Sequence, residues 1–130
     1  MNLQQSNVDL LSKLDIKKLT NSSDLFAETF VWHFFNAKLP EVQGDYVGLN
    51  GLQTFFEKLA AITNGSFEVE PLSITPMGDE LVVTHVRDRM TLEGRAIELD
   101  AVVVWRIVDG CIEEAWDIPS IYTERSQTER

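Results

Sequence analysis

Cysteines, basic residues and long apolar runs are all scarce in this chain of 130 residues. The single cysteine, Cys111, excludes an intrachain disulfide and a cysteine-rich metal site. Lysine and arginine number 11 against 21 acidic residues, which gives a net charge of -10. This charge argues against non-specific nucleic-acid binding and against docking on an acidic membrane surface. Apolar runs such as 101–105 are far too short to span a bilayer.

The N-terminus lacks the basic segment followed by an apolar segment that is typical of a secretory signal. The two histidines lack metal-binding spacing, and the glycines lack the pattern of a phosphate or dinucleotide loop, so we expect no cofactor and no metal. The chain shows no repeat and no linker. We therefore expect one cytoplasmic domain over residues 1–122 and a polar, frayed tail over 123–130.

The first half of the chain has mainly helical patterns. Ser6 or Asn7 is the predicted cap of a first helix, and a short second helix is predicted over residues 22–29. An aromatic-rich strand is predicted over residues 30–35. The segment 38–48 contains one proline and two glycines and is predicted to be a loop.

The clearest helix is predicted to begin after Asn50 as its cap. Its apolar residues recur at helical spacing and form a single stripe, made of Leu52, Phe55, Phe56, Leu59 and Ile62. Asn64 and Gly65 tolerate the left-handed conformation and end the helix. The stripe predicts that one face of this helix packs against the rest of the domain.

The second half of the chain is predicted to form four strands. They cover residues 66–76, 80–93, 95–108 and 111–122, and the turns between the last three contain Glu93-Gly94 and Asp109-Gly110. Helices followed by strands favour an α+β fold, with about three helices on a long antiparallel sheet.

The two hairpin turns also predict the register of the strands. A two-residue turn at Glu93-Gly94 places Arg87 opposite Asp100 and Arg89 opposite Glu98, and the Asp109-Gly110 turn places Arg106 opposite Glu113. Each is an opposite-charge cross-strand pair, which supports the register.

Both faces of these strands carry bulky residues. One face of the third strand is apolar from Leu99 to Ile107, while Val102 and Val104 lie between charged neighbours on the other. A sheet with one solvated face alternates more cleanly. We therefore expect helices to cover one face and a second subunit, in a homodimer, to cover the other.

This arrangement resembles the nuclear transport factor 2-like, or cystatin-like, cone fold with a strongly curved antiparallel sheet. It is most similar to the SnoaL-like polyketide cyclase and ketosteroid isomerase branch of that superfamily. The resemblance spans roughly residues 8–122 and is carried by Leu25-Phe26-Ala27-Glu28, Phe30-Val31-Trp32-His33, Gly44-Asp45-Tyr46-Val47-Gly48, the segment 105–114, and Trp116-Asp117-Ile118-Pro119.

The resemblance implies roles for particular residues. Asp117 matches the aspartate that acts as general acid/base in the SnoaL-like cyclases. Val103 stands where those enzymes have a histidine and where the isomerases have their protonated aspartate. The general base of the isomerases falls near His33. The chain thus has one cyclase residue without its partner and lacks the carboxylate pair of the isomerases.

The residues themselves offer three candidates for proton transfer. Asp117 lies between Trp116 and Ile118, and apolar walls would raise the pKa of its carboxyl. His33 lies in an aromatic cluster, and imidazole exchanges protons near neutral pH. The predicted registers place His85 on the same face as Asp117, roughly 10 Å away. The structural alternative for Asp117 is a carboxylate that pairs with an arginine or caps the final segment, and for His33 it is a core histidine hydrogen-bonded to the backbone.

The same registers place Val103 on the face opposite to Asp117, whereas the resemblance requires both in one cavity. A β-bulge in the last strand would reconcile the two. The residues expected to line the pocket share aromatic character or a position near these candidates, and are Trp32, Tyr46, Phe55, Arg87, Val103, Trp105 and Trp116.

We therefore predict a SnoaL-like pocket protein that binds a small apolar or aromatic molecule. The leading hypothesis is a cofactor-independent enzyme of isomerase, cyclase or hydrolase type, with Asp117 as general acid/base and His33 or His85 as helper. The alternative is a non-catalytic module of the same fold, used for binding a hydrophobic ligand, for dimerisation or for protein interaction.

Overall fold

The computed structural model describes residues 2–123 and the backbone of Arg125–Ser126. Its helical elements are α1 (Leu3–Ser12), a 3-10 segment (Ile16–Leu25) and α2 (Gly48–Thr63). Its strands are β1 (Phe26–Phe34), β2 (Gly44–Val47), β3 (Glu68–Met77), β4 (Leu81–Leu92), β5 (Arg95–Val108), β6 (Cys111–Pro119) and β7 (Arg125–Ser126). This is the predicted α+β cone, with three helical elements on a curved, unclosed sheet.

The strands lie in the order β2-β1-β6-β5-β4-β3, and β7 adds to β5. The β1–β6 pair is parallel and the other pairs are antiparallel. Of the predicted polar tail, β7 pairs with the start of β5, while residues 124 and 127–130 lie outside the described part. One side of the sheet, here called the inner face, packs against the helices. The other side is called the outer face.

The β4–β5 hairpin has the predicted register. Arg87 pairs with Asp100 and Arg89 pairs with Glu98, as expected. Glu93 and Gly94 have φ of 50° and 79°, which is the left-handed pair that a two-residue hairpin turn requires.

The β5–β6 hairpin has an irregularity that corrects the predicted register. Ile107 pairs with Ile112 next to the turn, but Arg106 pairs with Glu114, because Glu113 is the extra residue of a β-bulge. The prediction that Arg106 faces Glu113 is therefore wrong. Beyond the bulge Val103 pairs with Asp117, so both residues share the inner face.

Several predictions for the first half of the chain are also wrong. Asn2, and neither Ser6 nor Asn7, caps α1 with its side chain. The predicted helix over 22–29 is replaced by the end of the 3-10 segment and the start of β1. The predicted loop over 38–48 contains β2, and α2 begins at Gly48 without a side-chain cap.

The main core lies between α2 and the inner face. Phe55 of α2 is fully buried and contacts the rings of Trp32, Phe34 and Tyr46 at centroid distances of 5.4, 4.9 and 5.4 Å. The predicted apolar stripe of α2 supplies this core through its buried residues Leu52, Phe55 and Leu59. A second, smaller core lies at the other end of the sheet around Met90 and Ile97. Cavities lie between the two cores.

Candidate functional site

Two adjoining cavities lie on the inner face, and the larger of these two, of about 400 Å³, opens between the end of α1, the start of the 3-10 segment and β3–β6. Its walls are mostly apolar and include two tryptophans. The lining residues are Leu11, Ser12, Leu14, Ile16, Trp32, Phe56, Phe67, Val69, Pro71, Leu72, Ser73, Ile74, Thr84, Val86, Asp88, Val103, Trp105 and Asp117. A concave apolar site with few polar groups is typical of small-molecule pockets.

A second cavity, of about 210 Å³, lies toward the smaller core. It is more polar, with Asn36, Lys38, Glu93 and Arg95 among its lining residues. Three residues line both cavities: Phe67, Asp88 and Asp117. The two carboxyl groups therefore lie where the cavities adjoin.

Asp117 reaches the inner face because of the bulge at Glu113. Its carboxyl has no hydrogen-bond partner among the residues that the structure describes. Burial raises its pKa well above the usual value, and the charge of Asp88 raises it further. Asp117 keeps some accessible surface because it borders both cavities. A carboxyl whose pKa is raised in this way is chemically suited to donate a proton to a bound molecule.

Asp88 is a second inward carboxyl, and the sequence analysis did not single it out. It lies on β4 opposite Leu99 and is only 8% exposed. Burial is the main cause that raises its pKa, to about 7, and the charge of Asp100 adds to it. The signal was present in the sequence, because the predicted register already placed Asp88 opposite a residue of the apolar face.

His33 lies on the outer face, away from both cavities. Its Nδ1 is 2.7 Å from Asp45 Oδ1, its Nε2 is 2.7 Å from Glu114 Oε2, and its ring stacks on Trp116 at 5.5 Å. Burial lowers the pKa of His33, but the hydrogen bonds to the two carboxylates outweigh this, so its pKa is raised. The arrangement suits a charged structural imidazolium.

His85 also lies on the outer face. It pairs with Val102, whose β6 partner is Ile118, so the prediction that His85 shares a face with Asp117 is wrong. The bulge moved Asp117 to the other face. His85 Nε2 lies 3.1 Å from Asp100 Oδ1.

The other predicted pocket residues fall into three groups. Trp32, Val103 and Trp105 line the larger cavity. Tyr46 and Phe55 are buried in the main core, where the Tyr46 hydroxyl donates to the carbonyl of Val42. Arg87 and Trp116 lie on the outer face, beside Asp100 and Arg106 respectively.

The two tryptophans of the cavity wall differ in their hydrogen bonds. Trp105 Nε1 donates to Thr84 Oγ1 at 3.0 Å. Trp32 Nε1 is buried and has no acceptor in the described part of the chain. The rings lie 5.6 Å apart and form a continuous aromatic wall. This wall suits a flat apolar molecule.

The site therefore combines an apolar cavity with two carboxyl groups. Within residues 2–123, no group of three or more metal-ligating side chains is placed to hold a metal ion. No helix of the described residues is long and apolar enough to cross a membrane. Chemically, the carboxyls are equipped for proton transfer to and from a bound molecule.

Comparison with solved structures gives the same architecture. Bal32a, from a soil-derived mobile gene cassette, has 17% identity and a TM-score of 0.79, with 91% of this chain and 92% of that chain covered. An NTF2-like protein from Burkholderia thailandensis E264 has 18% identity and a TM-score of 0.75, with 92% of each chain covered. TerC, co-crystallised with polyporic acid, has 18% identity and a TM-score of 0.72, with 88% and 92% covered. At these identities the likeness shows the fold.

At the level of sequence, no curated protein is similar enough to count as a relative. The model of the SnoaL-like domain family matches residues 8–115. The match ends two residues before Asp117, so it carries no information about that carboxyl. Because it spans most of the chain, this protein belongs to the SnoaL-like domain family.

Proposed function

We propose that the larger cavity is the active site of a cofactor-independent enzyme that acts on a small, mostly apolar molecule. The reaction is an isomerisation, cyclisation or hydrolysis in which Asp117 is the general acid/base. The observation that carries this proposal is the carboxyl of Asp117, which borders an apolar cavity without a hydrogen-bond partner among the described residues. A carboxyl with a raised pKa is matched to proton transfer near neutral pH.

The aromatic wall supports the substrate class. Trp32 and Trp105 provide flat apolar surfaces next to the carboxyls, and TerC, which shares the fold, has been co-crystallised with polyporic acid. We infer that this chain takes a small aromatic or otherwise apolar molecule. Since both tryptophans line the cavity, binding changes their fluorescence, which gives a readout that requires no knowledge of the reaction.

The experiment begins with a panel of uncharged aromatic ketones, esters and phenols, screened by tryptophan fluorescence and followed for product by mass spectrometry. For any compound converted, Asp117→Asn is expected to lower kcat by about 10²–10⁴-fold. Asp109→Asn is the matched control, because Asp109 is exposed in the β5–β6 turn and asparagine tolerates its φ of 51°. Unchanged kcat in Asp117→Asn would contradict the acid/base role.

A non-catalytic ligand-binding or interaction module is the second candidate. It is favoured by Val103, an apolar residue at the position paired with Asp117, and by the location of both histidines on the outer face. This candidate predicts that a compound binds with equal affinity to the wild type and Asp117→Asn and is recovered unchanged from both.

We also propose that the outer face forms a homodimer interface. Val47 and Ile118 are 65% and 56% exposed and lie on strands β2 and β6 that flank β1, and Phe35, directly after β1, is 72% exposed. Sedimentation at tens of micromolar is expected to give a dimer for the wild type and a monomer for Ile118→Lys. A monomeric wild type would contradict the proposal.

A single domain over residues 1–122 and a cytoplasmic location complete the proposal. Both come from the sequence patterns described above. Limited proteolysis that leaves 1–122 intact, and fractionation of cells that express the protein at natural levels, are the respective tests.

A further inference from the structure

Asp88 lines the cavity, but the proposed function assigns no role to it. It lies on β4 and Asp117 lies on β6, with β5 between them. Their partners on β5 are Leu99 and Val103, both of which face inward. Because both carboxyls line both cavities, a molecule held beside one of them has the other in the same wall.

Neither carboxyl has the partners of a structural ion pair. No lysine, arginine or histidine is among the described residues that line the larger cavity, and neither Asp88 nor Asp117 has a hydrogen bond within that part of the chain. On the outer face, by contrast, Glu98 binds Arg89 and Asp100 binds His85 and Arg87. Buried carboxyls without such partners destabilise a fold, and where they occur they mark functional sites.

Resting on the proposed role of Asp117, we propose that Asp88 is a second catalytic residue. One of the two carboxyls donates a proton to the bound molecule while the other accepts one, and the molecule they act on is uncharged. The uncharged substrate follows from the lining, because an anion in the larger cavity would add negative charge to a wall that has no cation among the described residues.

The surroundings of Asp88 and Asp117 indicate which carboxyl donates a proton and which accepts one. The two carboxyls do not ionise independently, because the charge of Asp88 disfavours the charged form of Asp117. The pKa of Asp88 is raised to about 7 and its charge raises the pKa of Asp117 further, so Asp88 ionises first. Near neutral pH Asp88 is therefore the proton acceptor and Asp117 the donor.

The charged groups around Asp88 are few. From its own sheet these are Asp117 and, through β5, Asp100, whose charge raises the pKa of Asp88. The second cavity adds Lys38, Glu93 and Arg95 to its lining. The two histidines lie on the outer face, so the pH dependence of the cavity is set by carboxyls.

Esterification by diphenyldiazomethane tests whether each of the two carboxyls can hold a proton and whether both are accessible to the same small apolar molecule. The carboxyl proton moves to the diazo carbon, the carboxylate oxygen then forms a bond to that carbon, and N₂ leaves with the electron pair of the broken C–N bond. The product is a diphenylmethyl ester. Since only the protonated carboxyl reacts, a group with a pKa near 7 is expected to react at pH 7 several hundredfold faster than an exposed aspartate. Peptide mass spectrometry locates the esters.

Four variants separate the two residues. We expect one ester per wild-type chain, mainly at Asp117, because the first diphenylmethyl group fills the cavity. Asp117→Asn is expected to move the ester to Asp88, Asp88→Asn to retain it at Asp117, and the double variant to lose it. Asp109→Asn serves as control and is expected to behave as the wild type. Esterification of Asp88 should fall about tenfold per pH unit above pH 7, as its protonated fraction does.

The outcomes that overturn the proposal differ from those that overturn the proposed function. No ester at Asp88 in folded Asp117→Asn, with an ester at Asp117 in Asp88→Asn, rejects Asp88 and leaves Asp117 in place. No ester at Asp117 in the wild type and in Asp88→Asn rejects the role of Asp117 itself. Equal reaction of a carboxylate-bearing diazo analogue rejects the uncharged substrate.

A second measurement needs no variant to fold. Carboxyl ¹³C shifts of the wild-type protein are expected to show Asp88 titrating near pH 7 and Asp117 titrating well above the ordinary range of an aspartate. A midpoint for Asp88 in the ordinary range below 5 would overturn its assignment as the proton acceptor at neutral pH.

Discussion

The two faces of the sheet carry the same kind of side chain in opposite circumstances. On the outer face, Glu98, Asp100 and Glu114 each contact an arginine or histidine. On the inner face, Asp88 and Asp117 border cavities without such a contact in the described residues. Each of these outer carboxylates has a cationic partner, whereas burial without such a partner raises the pKa of both inner carboxyls. The face that a carboxyl occupies thus separates the structural acids from the candidate catalytic acids.

The largest difference between the two faces is expected in the free energy of unfolding when a phenylalanine on each face is replaced by alanine. Phe55→Ala, in the core against the inner face, should lower the free energy of unfolding by about 3–5 kcal/mol, since it removes a fully buried ring. Phe35→Ala, at a site 72% exposed in the single chain, should change it by no more than about 0.5 kcal/mol in the monomeric Ile118→Lys background. Urea unfolding of both variants checks this. A large cost for Phe35→Ala in the wild-type background would show that the outer face is buried in solution.

The next largest effect is the pH dependence of the free energy of unfolding that the inner carboxyl of Asp88 causes. The folded pKa of Asp88, about 7, lies above its unfolded value near 3.8, so the folded state binds more protons between these values. The free energy of unfolding should therefore fall as pH rises from 5 to 8, by about 3 kcal/mol from this group. Asp88→Asn should flatten this part of the curve, measured by urea unfolding at each pH. An unchanged slope would contradict the inner-face assignment.

On the outer face, a smaller pH-dependent contribution to the free energy of unfolding is expected from the ion pairs of His33. The raised pKa of His33 means that its ion pairs with Asp45 and Glu114 stabilise the fold below about 6.5 and are lost as pH rises through the folded pKa. His33→Gln should cost about 1 kcal/mol at pH 6 and much less at pH 8.5, because these groups are partly exposed. Thermal unfolding at the two pH values measures the difference. An equal cost at both would indicate packing on Trp116 as the cause.

The smallest effect is expected for an exposed ion-pair network. Arg89 binds Glu70 at 2.8 Å and Glu98 at 2.9 Å on the outer face. Arg89→Gln should lower the free energy of unfolding only slightly, and 0.5 M salt should reduce that cost further. Urea unfolding at low and high salt tests this, and a cost that salt leaves unchanged would point to a structural role beyond the charges.

The fold was predictable because its strongest signals are local. The apolar stripe of α2 and the Glu93-Gly94 turn each define one element and its pairing without help from distant residues. The start of β1 was not predictable in this way. Residues 26–29 have no pattern that separates a strand from the end of a helix, and their pairing with β6 depends on residues far along the chain.

The site was predictable only in part, for three different reasons. The family resemblance points to Asp117, and the register of the β4–β5 hairpin points to Asp88, which lies opposite Leu99. His33 was misplaced because its aromatic neighbours were treated as a cluster, although strand alternation puts Trp32 inside and His33 outside. The bulge at Glu113 has no signature in side-chain type, so the face of His85 relative to Asp117 could not be derived.

The bulge in β6 makes the site depend on one extra residue in the strand. Successive residues of a strand point to opposite sides, so the extra residue at the bulge decides which side receives the carboxyl of Asp117. If β6 continued from the turn with the same residues but without the bulge, Asp117 would pair with Val102 on the outer face and Trp116 would take its place inside. The extra residue at the bulge, as much as the chemistry of the side chain, places this aspartate on the inner face. An alignment of related chains through β6 therefore assigns residues to the correct face only if each gap is placed at the right residue.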